Sequence, residues 1–238
     1  MSEWPAGGLV DHEELANRLS VLVPSRMAAS FAIDHLTTQM IYLDVAIQDY
    51  EAASSEFREA MRRHAQSMLE GYGDEAEARA AEFVHFRSLR ETGMRFHYRL
   101  DCAYGAARRV LDRVVVVVHE LLPRTSTDVG RSHHGFGPRL LNRCKELELD
   151  VPEALVAQIQ ELDDRVRLIR DHIEHVQMPV AMRFTRPVGD DFAVELKEVV
   201  RAGEHAEGTS YESPVALRQA THAYVGAMLE LLESARKN

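Results

Sequence analysis

An apolar seam late in the chain limits the fold more than any other feature. Leu155, Ile159, Leu162, Val166, Ile169, Ile173 and Val176 recur at steps of 4, 3, 4, 3, 4 and 3 residues. That spacing keeps every one of these side chains on one stripe of a 3.6-residue helix, and it does not fit the two-residue period of a strand. Pro179 stops the helix. Such a stripe has to be buried, and the upstream chain supplies helices to bury it. Leu15, Leu19 and Leu22 are spaced for a helix that Pro24 ends. Ser25 suits the cap of a long helical stretch that Gly71 and Gly73 close. A second long stretch starts at an Asp cap and runs to Pro123, as one helix or as two broken at Gly93 or Gly105. The loop "RTSTDVGRSHHGFG" follows, and Pro138 suits the first position of a new helix.

Beyond residue 179 the pattern changes. "VAMRFTRPVGDDFAVELKEVV" alternates around a "VGDD" turn and reads as a β-hairpin. A final helix follows from "SPVALRQ" onwards. The expected fold is all-α: a helical bundle with long helices and one small β-hairpin near the C-terminus. It is a single domain, with the bundle in 1–178, the hairpin inserted at 179–202 and a closing helix at 213–238.

Composition narrows the function classes. No apolar run approaches the roughly 20 residues that span a bilayer, and "VVVVV" at 114–118 is far too short. The acidic N-terminus, broken by Pro and Gly, does not read as a signal peptide. The two cysteines, Cys102 and Cys144, make no disulfide framework and have no CxxC spacing. They read as packed thiols in a cytoplasmic protein. The net charge of -10 argues against non-specific nucleic-acid binding but leaves room for a local basic cleft. No cofactor and no DNA specificity are expected. Arginine outnumbers lysine 25 to 3, which reads first as genome bias.

Chemistry-bearing residues concentrate in "RLIRDHIEHVQMP", Arg167–Pro179. Two Arg-x4-His pairs lie in this one helix, Arg167 with His172 and Arg170 with His175. Arg167, Asp171 and His175 follow at i, i+4 along the outer side, where Leu168 also lies. The plain reading is a solvated charge ladder, worth a few tenths of a kcal/mol per pair. A second reading takes His172 and His175, at i, i+3, as metal ligands joined by His97, His119, His133 or Glu174. No second His/Glu pair at fixed spacing supports it.

A hydrophobic helix that ends in "RDHIEH", late in an all-helical chain, resembles the HEPN superfamily (higher eukaryote and prokaryote nucleotide-binding domains). The signature of that family is Arg, a polar residue, then His after four to six positions. Asp171 stands in the polar place. The resemblance covers residues 30–178 as architecture and one helix as motif. It implies a metal-independent endoribonuclease of toxin–antitoxin or phage-defence type, or a non-catalytic module that binds a nucleotide or protein partner. It also implies a homodimer with two motifs facing one cleft, and the outward Leu168 is compatible with that. RNA cleavage without a metal needs a base for the ribose 2′-OH and a cation for the charge on phosphorus. Histidine titrates near neutral pH, and the arginine fork fits phosphate oxygens. Arg170 is therefore assigned to phosphate, His175 to acid–base work and Asp171 to orientation. Arg167 with His172 is the alternative register. Segment 124–145 carries Arg124, Arg131, Arg139, Arg143 and Lys145 against Asp128 alone. Arg131, His133, His134, Arg139 and Arg143 are expected RNA contacts, and an ordinary exposed loop is the other reading. RNA or a nucleotide, an antitoxin and a second copy of the chain are the partners expected, and a membrane is not.

Overall fold

A computed structural model describes residues 9–23, 27–70, 75–175, 183–188, 191–197, 209–212 and 214–237. The described helices are α1 (His12–Leu22), α2 (Met27–Glu70), α3 (Glu75–Leu121), α4 (Phe136–Glu146), α5 (Glu153–His175) and α6 (Pro214–Lys237). They form an all-α bundle. The expected stops and caps at Pro24, Ser25, Gly71, Gly73, Asp74 and Pro179 lie outside the described residues.

Two long helices are its backbone. α2 and α3 run antiparallel, because Arg95 pairs with Glu56, Arg99 with Asp49, and Arg109 donates to Gln39. The choice between one helix and two over the third stretch resolves to one, unbroken through Gly93 and Gly105. Gly93 has a packing reason: a Cβ there would stand 3.2 Å from the Phe57 ring. The aromatic rings of Tyr50, Phe57 and Phe96 meet beside it, with centroids 5.4 Å apart in each pair with Phe96.

Lower in the bundle, Leu15 and Leu19 of α1, Leu36 of α2, Val114 and Val118 of α3, and Val225 of α6 share one interior. Valine is a modest helix former, at a cost below about 1 kcal/mol each. Burying a valine side chain contributes about 1.5–3 kcal/mol, so the "VVVVV" run is helical. α5 joins through Leu155, Ile159, Leu162 and Val166, the described part of its seam, all buried. α4 adds Phe136, Leu140 and Cys144. Burial pushes the Cys144 thiol up to about 11, which fits a packed, unreactive group.

Two starts differ from expectation. α4 begins at Phe136, so Pro138 is its third residue rather than its first. The first turn has no intrahelical N–H bonds to lose, and a proline is tolerated there. α6 does begin at its proline, Pro214. Among the described residues between α5 and α6, three short strands, β1 (Arg183–Val188), β2 (Asp191–Lys197) and β3 (Thr209–Glu212), pair antiparallel in that order, where the sequence suggests one hairpin. Residues 189 and 190, in the expected turn, lie outside the described residues. No described helix is long and apolar enough to cross a membrane.

Candidate functional site

The loop between α3 and α4 carries the densest polar chemistry among the described residues. It is strapped down at both ends. Arg143 of α4 is buried and donates to the carbonyl oxygens of Leu122 at 2.6 Å and Pro123 at 2.9 Å. Those are orphan carbonyls at the C-terminus of α3, so the guanidinium works as a helix cap. Ser126 and Thr127 hydrogen-bond the Glu146 carboxylate. Arg139 lies over Gly130, whose φ of 78° and lack of a Cβ allow the approach. Arg139 Nη2 donates to the carbonyls of Ser132 at 3.0 Å and His134 at 2.7 Å.

These bonds hold His133 and His134 against Asp163 of α5. Asp163 is buried inside the bundle, and its carboxylate accepts three donors. Arg108 of α3 donates to Oδ1 at 2.9 Å, His133 Nδ1 approaches the same oxygen at 3.5 Å, and His134 Nδ1 reaches Oδ2 at 3.0 Å. Arg108 also donates to Asp112 at 3.2 Å and Ser132 at 3.0 Å. Asp112 in turn accepts the backbone N–H of His133 at 2.8 Å. On the far side, His133 Nε2 meets the Tyr224 hydroxyl of α6 at 3.2 Å.

The electrostatics assign the protons. Burial works to raise the Asp163 carboxyl, but the hydrogen bonds from His134 and Arg108 outweigh it and hold it below its ordinary value. Asp163 is therefore an ionised acceptor, and both imidazoles turn an Nδ1–H towards it. Burial pushes His133 down to about 4 against the pull of Asp163, so it is neutral at pH 7. Burial raises Tyr224 well above its ordinary value, so its O–H stays a donor to His133 Nε2. His134 differs from its neighbour: its side chain is 69% exposed, and no described residue hydrogen-bonds its Nε2.

A second carboxylate forms a similar centre elsewhere. Asp44 of α2 takes His12 Nε2 at 2.7 Å, His222 Nε2 at 3.0 Å and the Arg218 guanidinium. His222 Nδ1 accepts the N–H of Val10 at 3.0 Å, which ties down the segment before α1.

The expected site residues divide into three groups. Arg167, Arg170, Asp171, His172 and His175 all lie within α5, whose backbone is helical to His175, but their side chains lie outside the described residues. Arg131 and His134 are exposed. His133 and Arg143 need correction: both are buried, His133 with both ring nitrogens bonded inside the fold and Arg143 with Nε and Nη2 on backbone carbonyls, so neither is presented to RNA. Arg139 is half-buried, and its Nη2 is engaged by two carbonyls. Nothing among the described residues groups three or more His, Cys, Asp or Glu side chains to hold a metal ion. His119 faces Asp128 and His133 faces Asp163, in separate centres.

The sequence reading missed Arg108, Asp163 and Tyr224. Asp163 had a signal. It lies four residues after Ile159 and three before Val166, on the face of the apolar seam. A charge on a buried face requires partners. No family model, curated protein or solved structure matches this chain.

Proposed function

We propose that this protein is a metal-independent endoribonuclease on a HEPN-like helical bundle, acting in a toxin–antitoxin or phage-defence setting in the cytoplasm. The observation that carries the reading is α5. Its backbone is one unbroken helix from Glu153 to His175, late in an all-α bundle. Arg170, Asp171 and His175 therefore stand at i, i+1 and i+5 at the end of a bundle helix, as the HEPN signature asks. In this reading Arg170 neutralises charge on the phosphate, His175 moves the proton and Asp171, one turn before it, orients the imidazole. Arg167 with His172 is the alternative register. A homodimer supplies a second copy of the motif, and an antitoxin is the partner that restrains it. The test is cleavage of total RNA in EDTA. Wild type is expected to cleave, and the double variant Arg170→Ala/His175→Ala to lose about 100-fold or more. Identical behaviour of the two proteins removes the reading.

One observation favours a second, non-catalytic reading as a protein-binding module. Phe83, Val84, Phe86, Met94 and Tyr98 are exposed along the first half of α3, an apolar display beyond what scattered surface residues explain. Growth arrest on expression in a heterologous host, abolished by His175→Ala, rules this reading out.

A further inference from the structure

We infer that His134 is a general base for phosphodiester cleavage, oriented by Asp163 through its Nδ1 and working through its outward Nε2. The inference rests on the ribonuclease reading above, but not on which Arg/His register of α5 is used.

A histidine that works as a base has to meet three structural conditions. One ring nitrogen must be anchored as a donor, so that the other keeps its lone pair. That lone pair must reach a substrate. A negative group must sit behind the ring to stabilise the imidazolium that forms. His134 meets all three. Its Nδ1 lies 3.0 Å from Asp163 Oδ2, its side chain is 69% exposed, and the buried carboxylate faces the ring from behind. The anchor does not drift, because Arg108 fixes Oδ1 at 2.9 Å and Arg139 fixes the His134 carbonyl at 2.7 Å. Arg131, exposed in the same loop, adds a cation to the surface an anionic substrate would approach.

A structural role leaves the outward nitrogen unexplained. His133, one residue earlier, already bonds the loop to Asp163 and to Tyr224. The histidines at Asp44 show what a purely structural pair looks like. His222 has partners at both nitrogens, and the free nitrogen of His12 is buried.

The step balances within this chemistry. His134 Nε2 takes the proton of a ribose 2′-OH as O2′ bonds to the adjacent phosphorus. The P–O5′ bond breaks, O5′ takes a proton from water, and the imidazolium returns its proton to water. The products are a 2′,3′-cyclic phosphate and a 5′-hydroxyl end. Twelve residues of α5 separate Asp163 from His175, about 18 Å along the axis, so His134 and His175 of one chain do not share a phosphate.

The experiment follows cleavage of a single-stranded oligoribonucleotide by the full chain in EDTA. Wild type, His134→Ala, His134→Ala with added imidazole, and His134→Ala/Asp163→Asn are compared. His134→Ala is expected to melt within about 4 °C of wild type and lose about 100-fold or more in rate. Free imidazole restores about tenfold of that loss, because the vacated site opens to solvent. Asp163→Asn adds no further loss in rate when His134 is already alanine, since Asp163 acts through that ring. A His134→Ala rate equal to wild type overturns the inference while the ribonuclease reading stands. A loss that imidazole does not restore, with the fold intact, overturns it as well. A wild-type protein that cleaves nothing overturns the ribonuclease reading, and the inference falls with it.

Discussion

Asp44 and Asp163 are centres of the same composition: one carboxylate, one arginine and two histidines each. They differ in where the spare imidazole nitrogens point. At Asp44 both rings turn Nε2 inward, and the remaining nitrogens either accept the Val10 N–H or lie buried. At Asp163 both rings turn Nδ1 inward. His133 gives its Nε2 to Tyr224, and His134 presents its Nε2 to solvent. The same four groups therefore make a latch in one place and a candidate base in the other. Residue composition does not distinguish the two roles, and ring orientation does.

The largest expected effect breaks the Asp163 centre. Asp163→Ala leaves Arg108 and Asp112 as a changed charge pair and takes the common acceptor from His133 and His134. Removing one partner of a buried ionic network costs about 3–5 kcal/mol, read as a shift in the urea midpoint. A loss below about 1 kcal/mol would mean that the network adds little to the fold.

Acid separates the two centres. His133 sits near 4 in the folded protein against an ordinary 6.5. The unfolded chain thus binds this proton first, and stability falls as pH drops from about 6.5 to 4, by about 3 kcal/mol over the whole window. At Asp44 burial pushes the carboxyl up, but the hydrogen bonds from His222 and Arg218 hold it down to about 2. Its contribution is present above the ordinary 3.8 and is lost below that, as pH falls through 2. Urea titrations between pH 7 and 4 should therefore show a slope that His133→Gln flattens and Asp44→Asn leaves in place.

A smaller effect marks the latch. His222→Ala leaves the Val10 N–H without a partner and takes one of two donors from Asp44 Oδ1, at a cost of about 1–3 kcal/mol. Amide exchange should quicken in α1 first, and cleavage of RNA should be untouched. The smallest expected change in stability is at His134. His134→Ala takes the donor from Asp163 Oδ2 where water can replace it, so stability should fall by about 1 kcal/mol, while the rate falls about 100-fold or more. Thermal melts and rates measured on the same samples make that contrast visible.

Much of the bundle was legible in the sequence. The seam of α5, the leucines of α1 and the proline that starts α6 each use a local rule of helix spacing or helix starts. The continuity of α3 was not, because a glycine breaks a helix or serves its packing depending on what faces it. At Gly93 that is the Phe57 ring, brought there by α2. The loop after α3 was misjudged in part for a related reason. Its cations suggest a surface, yet Arg143 spends donors on the end of α3, and His133 lies in the core.

The chain's own pattern determined that it would be helical, where the long amphipathic stripes would run, and that arginine and histidine would crowd one helix and one loop. Periodicity is a local property, and local spacing is enough to reveal it. Only the tertiary structure decided that Asp163 would gather Arg108, His133 and His134, and that one ring would be sealed and its neighbour left open. Those choices depend on contacts between α3, the following loop, α5 and α6, which lie 24 to 91 residues apart in sequence. A buried carboxylate is stable only when its partners converge on it, and that convergence is set by how the helices pack.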